Sequence, residues 1–309
     1  MSFSEMEAYD VIVIGGGPAG LSAGIYAERY GLKTLVIAAD IGGQMATADL
    51  VQNWPGFLEI SGIELMNKLY EHAKLVGCKI ILEPVKKIQK PQKSGDNYII
   101  KTDNSEYLAK AVIAASGQSR RKLNVPGEEE FAGKGVSYCA TCDGAFFRNK
   151  IVAVVGGGDA AAKAAYLLSK NAKKVYMFVR GDKMRAEPAN IQHITNNPKV
   201  EIMMNTEIAS IVGEKKVEKV VLKNGSKIAL DGVFIEIGGT PNSWLFEDIG
   251  VKTDNAKNII VTERMETNLP GFFAAGDVTN FLVDFRQGIV SSAMGAIAAH
   301  SAVNFLKHR

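Results

Sequence analysis

The chain has 309 residues, 47% of them hydrophobic and 22% charged, with a formal net charge of +3. That balance belongs to a folded globular protein long enough for two domains, and it excludes a disordered polyelectrolyte. The basic excess is scattered, as at Lys86-Lys87 and Lys215-Lys216, so neither a nucleic-acid nor a membrane partner is expected. Three cysteines are too few for a disulfide framework and point to a reducing compartment, the cytoplasm. The N-terminal residues lack a signal-peptide pattern, and no apolar run is expected to reach the roughly 18 residues of a membrane span.

The first informative stretch is the apolar, β-branched run 10–14, followed at once by Gly15-Gly16-Gly17-Pro18-Ala19-Gly20. A helix over 21–29 and a strand over 33–37 complete a strand–turn–helix–strand unit of the G-x-G-x-x-G type. Gly15 makes the tight turn, Gly17 lets a pyrophosphate approach the backbone, and Gly20 lets the helix pack closely on the strand. This pattern predicts a bound dinucleotide. The acid that ordinarily ends the second strand is missing, because the chain reads Val36-Ile37-Ala38-Ala39 and Asp40 arrives late. Either the backbone and the loop Ile41-Gly42-Gly43-Gln44 hold the ribose, or Asp40 reaches back.

The turn 53–57 places Trp54 and Phe57 in a packed loop, and an amphipathic helix is expected over 64–76. Cys78 reads as a buried structural thiol. Antiparallel strands follow over 98–102 and 107–112, and 112–117 reads as a buried strand ending in a glycine turn. The basic, turn-rich stretch 118–126 reads as a linker.

Cys139-Ala140-Thr141-Cys142-Asp143 comes next. Two residues between the cysteines allow a tight redox-active disulfide, and Asp143 is a proton donor or acceptor for a leaving thiolate. Half of a zinc site and two unrelated thiols are the competing readings. The opening pattern then returns: strand 151–155, the turn Gly156-Gly157-Gly158-Asp159-Ala160-Ala161, helix 162–170 and strand 174–179. Two nucleotide units flanking a cysteine pair suggest two dinucleotides exchanging electrons with a disulfide. Arg180 and Arg185 follow the second strand and suit a 2′-phosphate, which favours NADPH over NADH. Strands are expected over 200–211, 216–222 and 226–230. The apolar segment 231–239 closes the domain, with a hinge at 240–242. In the tail, a strand enters the turn at Asp277, Arg286 and Gln287 follow, and a small-residue helix runs over 289–306.

With these residues laid out, the chain resembles the low-molecular-weight thioredoxin reductases of bacteria and archaea over almost its full length. The resemblance rests on Cys139 to Asp143 just before the second glycine turn, on 41–45, on 52–56 and on 274–277. It implies an α/β fold of two Rossmann-like nucleotide-binding domains, of three-layer ββα type, the second inserted into the first. An FAD domain would span 1–117 and 245–309, and an NAD(P)H domain with the redox disulfide would span 118–244. FAD would lie against Gly15, Gly17, Pro18, Ala19, Gly20, Gly42, Gly43, Gln44, Asn53, Asp277, Arg286 and Gln287. NADPH would lie against Gly156, Gly157, Gly158, Asp159, Ala160, Arg180 and Arg185. Cys142 would face the flavin, Cys139 would attack the disulfide of thioredoxin or a glutaredoxin-like protein, and Asp143 would manage the proton. A homodimer is implied, with domain rotation about hinges near Gly117 and Gly239. The chain departs from the family where His-Arg-Arg is usual and Val179-Arg180-Gly181 stands, and where acids are usual and Lys163-Ala164 stands. That departure keeps NADH, a ferredoxin donor or a flavin dithiol oxidase as alternatives.

Overall fold

The computed structural model describes residues 6–48, 51–93 and 95–309. The chain divides into two compact units, Met1–Ser119 with Thr240–Arg309, and Arg120–Gly239. The crossings lie at 119/120 and 239/240, a few residues from the expected 117/118 and 244/245. Asn242 shows why the second crossing comes early. Its amide donates to the Gly117 carbonyl (3.0 Å) and its side chain to the Ser116 carbonyl (2.9 Å), fastening it to the first unit.

The first unit is built on parallel strands Glu7–Ile14, Thr34–Ala38, Lys79–Leu82, Glu106–Ala114 and Phe272–Ala274. The long strand Glu106–Ala114 also carries, at its outer end, an antiparallel meander through Tyr98–Lys101 to Lys87–Gln89. Strands buried on both faces read as continuous apolar runs, and Val11 to Ile14 and Leu35 to Ala38 do so. Helices Pro18–Arg29, Gly62–Leu75 and Gly288–Lys307 belong to this unit. Ser61 caps the second of them by accepting the Glu64 amide (3.2 Å).

Contrary to the expectation from sequence, one helix among the described residues, Gly288–Lys307, is long and apolar enough by composition to cross a membrane. It behaves as a core helix. Met294, Gly295, Ala298, Ala299 and Ala302 are buried, and a Cβ on Gly295 would lie 2.1 Å from the Ala19 carbonyl oxygen. Small residues on this stripe let it lie directly against helix Pro18–Arg29.

The second unit repeats the parallel plan in the order Val200–Met203, Lys174–Phe178, Ile151–Val155, Gly232–Ile235, Val136–Ser137. Helix Asp159–Ser169 packs on it, and the antiparallel meander Ile208–Gly213, Val217–Leu222, Lys227–Ala229 forms a separate sheet. Three expectations need correction. The stretch 200–211 is two strands in two sheets, broken at Asn205, which adopts a left-handed φ of 49°. The helix Pro188–Thr195 has no counterpart in the sequence reading; its hydrophobic face is short, with only Ile194 fully buried. The stretch 118–126 is no free linker: Gln118–Arg120 is a strand, and the Pro126 carbonyl accepts the Ile211 amide (2.9 Å).

Because Gly295 meets backbone rather than a movable side chain, Gly295→Val should destabilise the first unit by about 1–3 kcal/mol. Calorimetry should show a thermal transition several degrees lower. An unchanged transition would mean the two helices are not in this close register.

Candidate active site

Three structures carry the chemistry, and each forms at the carboxyl ends of parallel strands. In the first unit the Gly15 amide donates to the Ile37 carbonyl (2.8 Å), turning the chain off its strand. Gly15 has φ +125°, and a Cβ there would stand 2.2 Å from the Ala115 oxygen. A Cβ on Gly20 would stand 1.8 Å from the Gly15 oxygen, so the helix begins in contact with the turn. That helix has Pro18 in its first turn and no side-chain cap at Gly17, so the first-turn amides of Ala19 and Gly20 face outward for an anion. Around Gly17 there is room: its Cβ would meet only the Gly42 oxygen, at 4.0 Å, and one on Gly43 only the Gly17 Cα, at 3.9 Å.

The loop opposite is fixed by Gly42 donating to the Gly16 carbonyl (2.9 Å) and Gly43 to Asp40 Oδ1 (3.2 Å). Asp40 therefore braces the loop of Gly42, Gly43 and Gln44 and does not reach back along the strand.

The tail residues converge on the same unit. Asn53 donates to Gln287 Oε1 (3.1 Å), and Ser291 donates to Asp277 Oδ1 (3.1 Å). Arg286 donates to Gln118 Oε1 (2.5 Å) and Asn258 Oδ1 (2.6 Å), and Gln44 donates to the Gln118 carbonyl. Burial pulls the Arg286 guanidinium below its ordinary pKa, opposed by the charges of Asp277 and Asp254. Its Nε is buried with no protein partner. A buried cation with an unanswered donor is a mark of an absent acceptor.

In the second unit Gly156 has φ +146°, and its Cβ would lie 2.3 Å from the Glu236 oxygen and 2.8 Å from Ala161 Cβ. The Ala161 methyl is thus part of what excludes a side chain at Gly156. Gly158 faces open space and caps helix Asp159–Ser169 without a side-chain bond. Asp159 is engaged: its Oδ1 accepts the Glu187 amide (2.8 Å) and the Asn190 side chain (2.7 Å), which hold its carboxyl below the usual range. It thereby positions the segment carrying Arg185, whose amide donates to the Gly157 carbonyl (2.7 Å). Arg180 follows buried Val179 and is exposed, as is Arg185. Ala160 lies in the helix's first turn.

Cys139 and Cys142 form a disulfide with Cα atoms 5.3 Å apart, so both sulfurs are committed to each other rather than to a metal. The short helix Ala140–Asp143 begins at Cys139, whose sulfur accepts the Cys142 amide (3.1 Å). Asp143 accepts a hydrogen bond from the Ser137 hydroxyl, and the same Ser137 oxygen accepts the Cys139 amide (3.1 Å). Glu128, buried, takes the amides of Leu123 (3.0 Å) and Asn124 (2.7 Å) and the Tyr138 hydroxyl (2.8 Å), anchoring the strand end that presents the turn. Cys78 stands apart from this chemistry; burial pushes its thiol up to about 12.

Sequence reading missed Gln118, Asn258, Ser137 and Glu236. Gln118 and Asn258 lie in turn-rich stretches with no pattern to mark them. Glu236 did carry a signal, as the only charge inside the apolar run 232–237.

A profile of the pyridine nucleotide-disulphide oxidoreductase family matches residues 9–300. A thioredoxin reductase of Bacillus subtilis is 41% identical, over 98% of this chain and 96% of the relative. One from Treponema pallidum is 41% identical, over 96% and 97%. The crystal structure of a thioredoxin reductase from Streptococcus pyogenes superposes with TM-score 0.91 at 38% identity, covering 98% of this chain and 99% of that one. The chain belongs to the pyridine nucleotide-disulphide oxidoreductase family, in its thioredoxin reductase branch. It is therefore an oxidoreductase, of a family that works with a flavin and a nicotinamide nucleotide. The residues present fit such groups: two uncapped helix starts, open space at Gly17 and Gly158, and the unanswered Arg286 Nε.

The spacing at Gly17 separates folding from binding. Gly17→Val should leave the first unit's thermal transition of flavin-free protein nearly unchanged. It should also yield protein that retains less than about a tenth of the flavin on gel filtration, since side-chain atoms then fill the cradle. Full flavin content in the variant would place the cofactor elsewhere.

Proposed function

We propose that this chain is a thioredoxin-disulfide reductase that uses FAD and NADPH. The observation that carries the reading is the Cys139–Cys142 disulfide, built into the second of two glycine-turn units. FAD would be held in the unit Met1–Ser119 and Thr240–Arg309 by Gly15, Gly17, Pro18, Ala19, Gly20, Gly42, Gly43, Gln44, Asn53, Asp277, Arg286 and Gln287. NADPH would be held in Arg120–Gly239 by Gly156, Gly157, Gly158, Asp159, Ala160, Arg180 and Arg185. Bound flavin and nicotinamide supply an electron pair at the redox turn; the remaining steps belong to the protein's own residues.

Two electrons and one proton convert the Cys139–Cys142 disulfide to a thiol and a thiolate. Cys139, as thiolate, attacks one sulfur of the thioredoxin disulfide and expels the other as a thiolate, which takes up a proton. Cys142 then attacks the mixed disulfide, restoring the Cys139–Cys142 bond and releasing the second partner cysteine. Asp143, steadied by the Ser137 hydroxyl, is the proton-handling group of the turn. A glutaredoxin-like protein presents the same disulfide chemistry and is the alternative partner. Homodimeric assembly and a cytoplasmic location complete the reading; three cysteines without a structural framework agree with the latter.

One observation favours a second donor. Arg180 and Arg185 are exposed cations beside the second glycine turn, but Gly181 stands between them and Lys163 lies on the helix where acids are usual. A charge-assisted bond contributes roughly 1.5–3 kcal/mol, so one missing arginine weakens a 2′-phosphate by about 10- to 100-fold. Gly181 has space for a side chain, its Cβ meeting nothing nearer than the Lys183 oxygen at 3.7 Å.

Anaerobic flavin bleaching with NADPH and NADH compared tests the assignment. NADPH should bleach the flavin within seconds, and Gly181→Arg should tighten NADPH by about tenfold or more while leaving NADH unchanged. If neither nucleotide bleaches the flavin and a reduced ferredoxin does, the donor is wrong. Peroxide produced from a small dithiol without nicotinamide would instead identify a dithiol oxidase.

A further inference from the structure

Glu236 directly follows the strand Gly232–Ile235, which lies between strand Ile151–Val155 on one side and Val136–Ser137 on the other. Its backbone is fixed: the Glu236 amide donates to the Val155 carbonyl (2.9 Å), and its own oxygen lies against Gly156. Its carboxylate turns to the redox turn, where Oε1 accepts the amide of Ala140 at 3.4 Å. Ala140 directly follows Cys139, so by bond lengths the carboxyl oxygen lies within about 8 Å of the Cys139 sulfur. Partial burial pushes its pKa up to about 7, against the Ala140 amide and the positive charge of Arg120, which pull it down. Among the acids and the tyrosine near this strand end, three have named partners of their own. Asp143 is bonded to Ser137, Tyr138 to Glu128, and Asp159 to Glu187 and Asn190.

We propose that Glu236 is a positioning residue of the redox turn, whose carboxyl takes up a proton from solvent when Cys139–Cys142 is reduced and returns it when the pair reoxidises. Reduction breaks the S–S bond with two electrons and places one proton on a sulfur, leaving a thiolate. A second proton converts the Glu236 carboxylate to the acid, so that two negative charges do not face each other within the turn. A thiolate at this range raises the carboxyl's midpoint by up to about one pH unit. Between the oxidised midpoint near 7 and the higher reduced one, reduction carries this extra proton and is disfavoured more steeply as pH rises. Below both midpoints Glu236 is neutral in either state, and above both it is ionised in either, so the extra slope is confined to that window.

The inference rests on the reading that this pair cycles between disulfide and dithiol. The experiment equilibrates flavin-loaded native protein and Glu236→Gln anaerobically with a dithiothreitol redox buffer from pH 6 to 9. Free Cys139 and Cys142 are then counted by maleimide labelling and mass. Cys78 is buried with a depressed tendency to ionise and serves as the unlabelled internal control. Glutamine keeps an acceptor for the Ala140 amide but cannot ionise. Between pH 7 and 8 the reduction equilibrium of the native protein should fall by up to about tenfold more than that of the variant. The thermal transition of Glu236→Gln should also gain on the native protein as pH rises from 5 to 8, because the native carboxyl, with its raised pKa, loses stability across that range. Identical slopes overturn the role of Glu236. A pair that never opens at any pH overturns the cycling reading itself. Should Glu236→Gln fail to fold, Glu236→Ala replaces it, and slopes identical to the native protein's again overturn the role of Glu236.

Discussion

The close approach of backbone to backbone at the two glycine turns is the constraint on which the rest depends. At Gly20 the helix begins against the Gly15 oxygen, and at Gly156 the turn lies against the Glu236 oxygen. No side chain can intervene at either point, so each helix start is driven onto the strand ends with its first amides outward. The Gly42 amide is bonded to the first turn at Gly16, and the Arg185 amide to the second at Gly157, so each turn also fixes the loop beside it. A substitution that opened one of these contacts would move the loop bonded to that turn within its own unit.

The redox turn depends on the second of these contacts. The residue after strand Gly232–Ile235, Glu236, lies against Gly156 and is bonded to Val155, and the neighbouring strand end at Ser137 leads into Cys139. Ser137 engages Asp143, Glu128 engages Tyr138, and Glu236 engages Ala140. Ser137 and Glu236 thus hold the backbone and the acid of the Cys-x-x-Cys turn, and Glu128 anchors the residue before it. Arg185 is exposed on a segment that Asp159 fastens through Glu187, and its amide is bonded to Gly157.

Much of this was legible in the sequence, and the reason is that backbone geometry selects residue type. Gly15 and Gly156 are visible because their φ angles of 125° and 146° exclude a side chain. The parallel strands are visible because burial on both faces demands unbroken apolar runs. The roles of Asp40 and Asp159 read differently in three dimensions: each is an acid near a nucleotide turn, and each spends oxygen atoms on loop amides. The helix Pro188–Thr195 was illegible because it buries too narrow a face to impose a period. Gln118 and Asn258 were illegible because their partner, Arg286, lies 168 and 28 residues away in the chain, and no local pattern records such a pairing.

Function on this reading turns on Cys139 as the nucleophile that carries electrons to a thioredoxin disulfide. The most direct measurement uses Cys142→Ser, which retains Cys139 but cannot resolve a mixed disulfide. It is mixed with a thioredoxin that carries only its attacked cysteine, activated as an aromatic disulfide. A one-to-one covalent adduct, mapped to Cys139 by peptide mass and released by dithiothreitol, is the expected result. No adduct, or one mapped to Cys78, would contradict it.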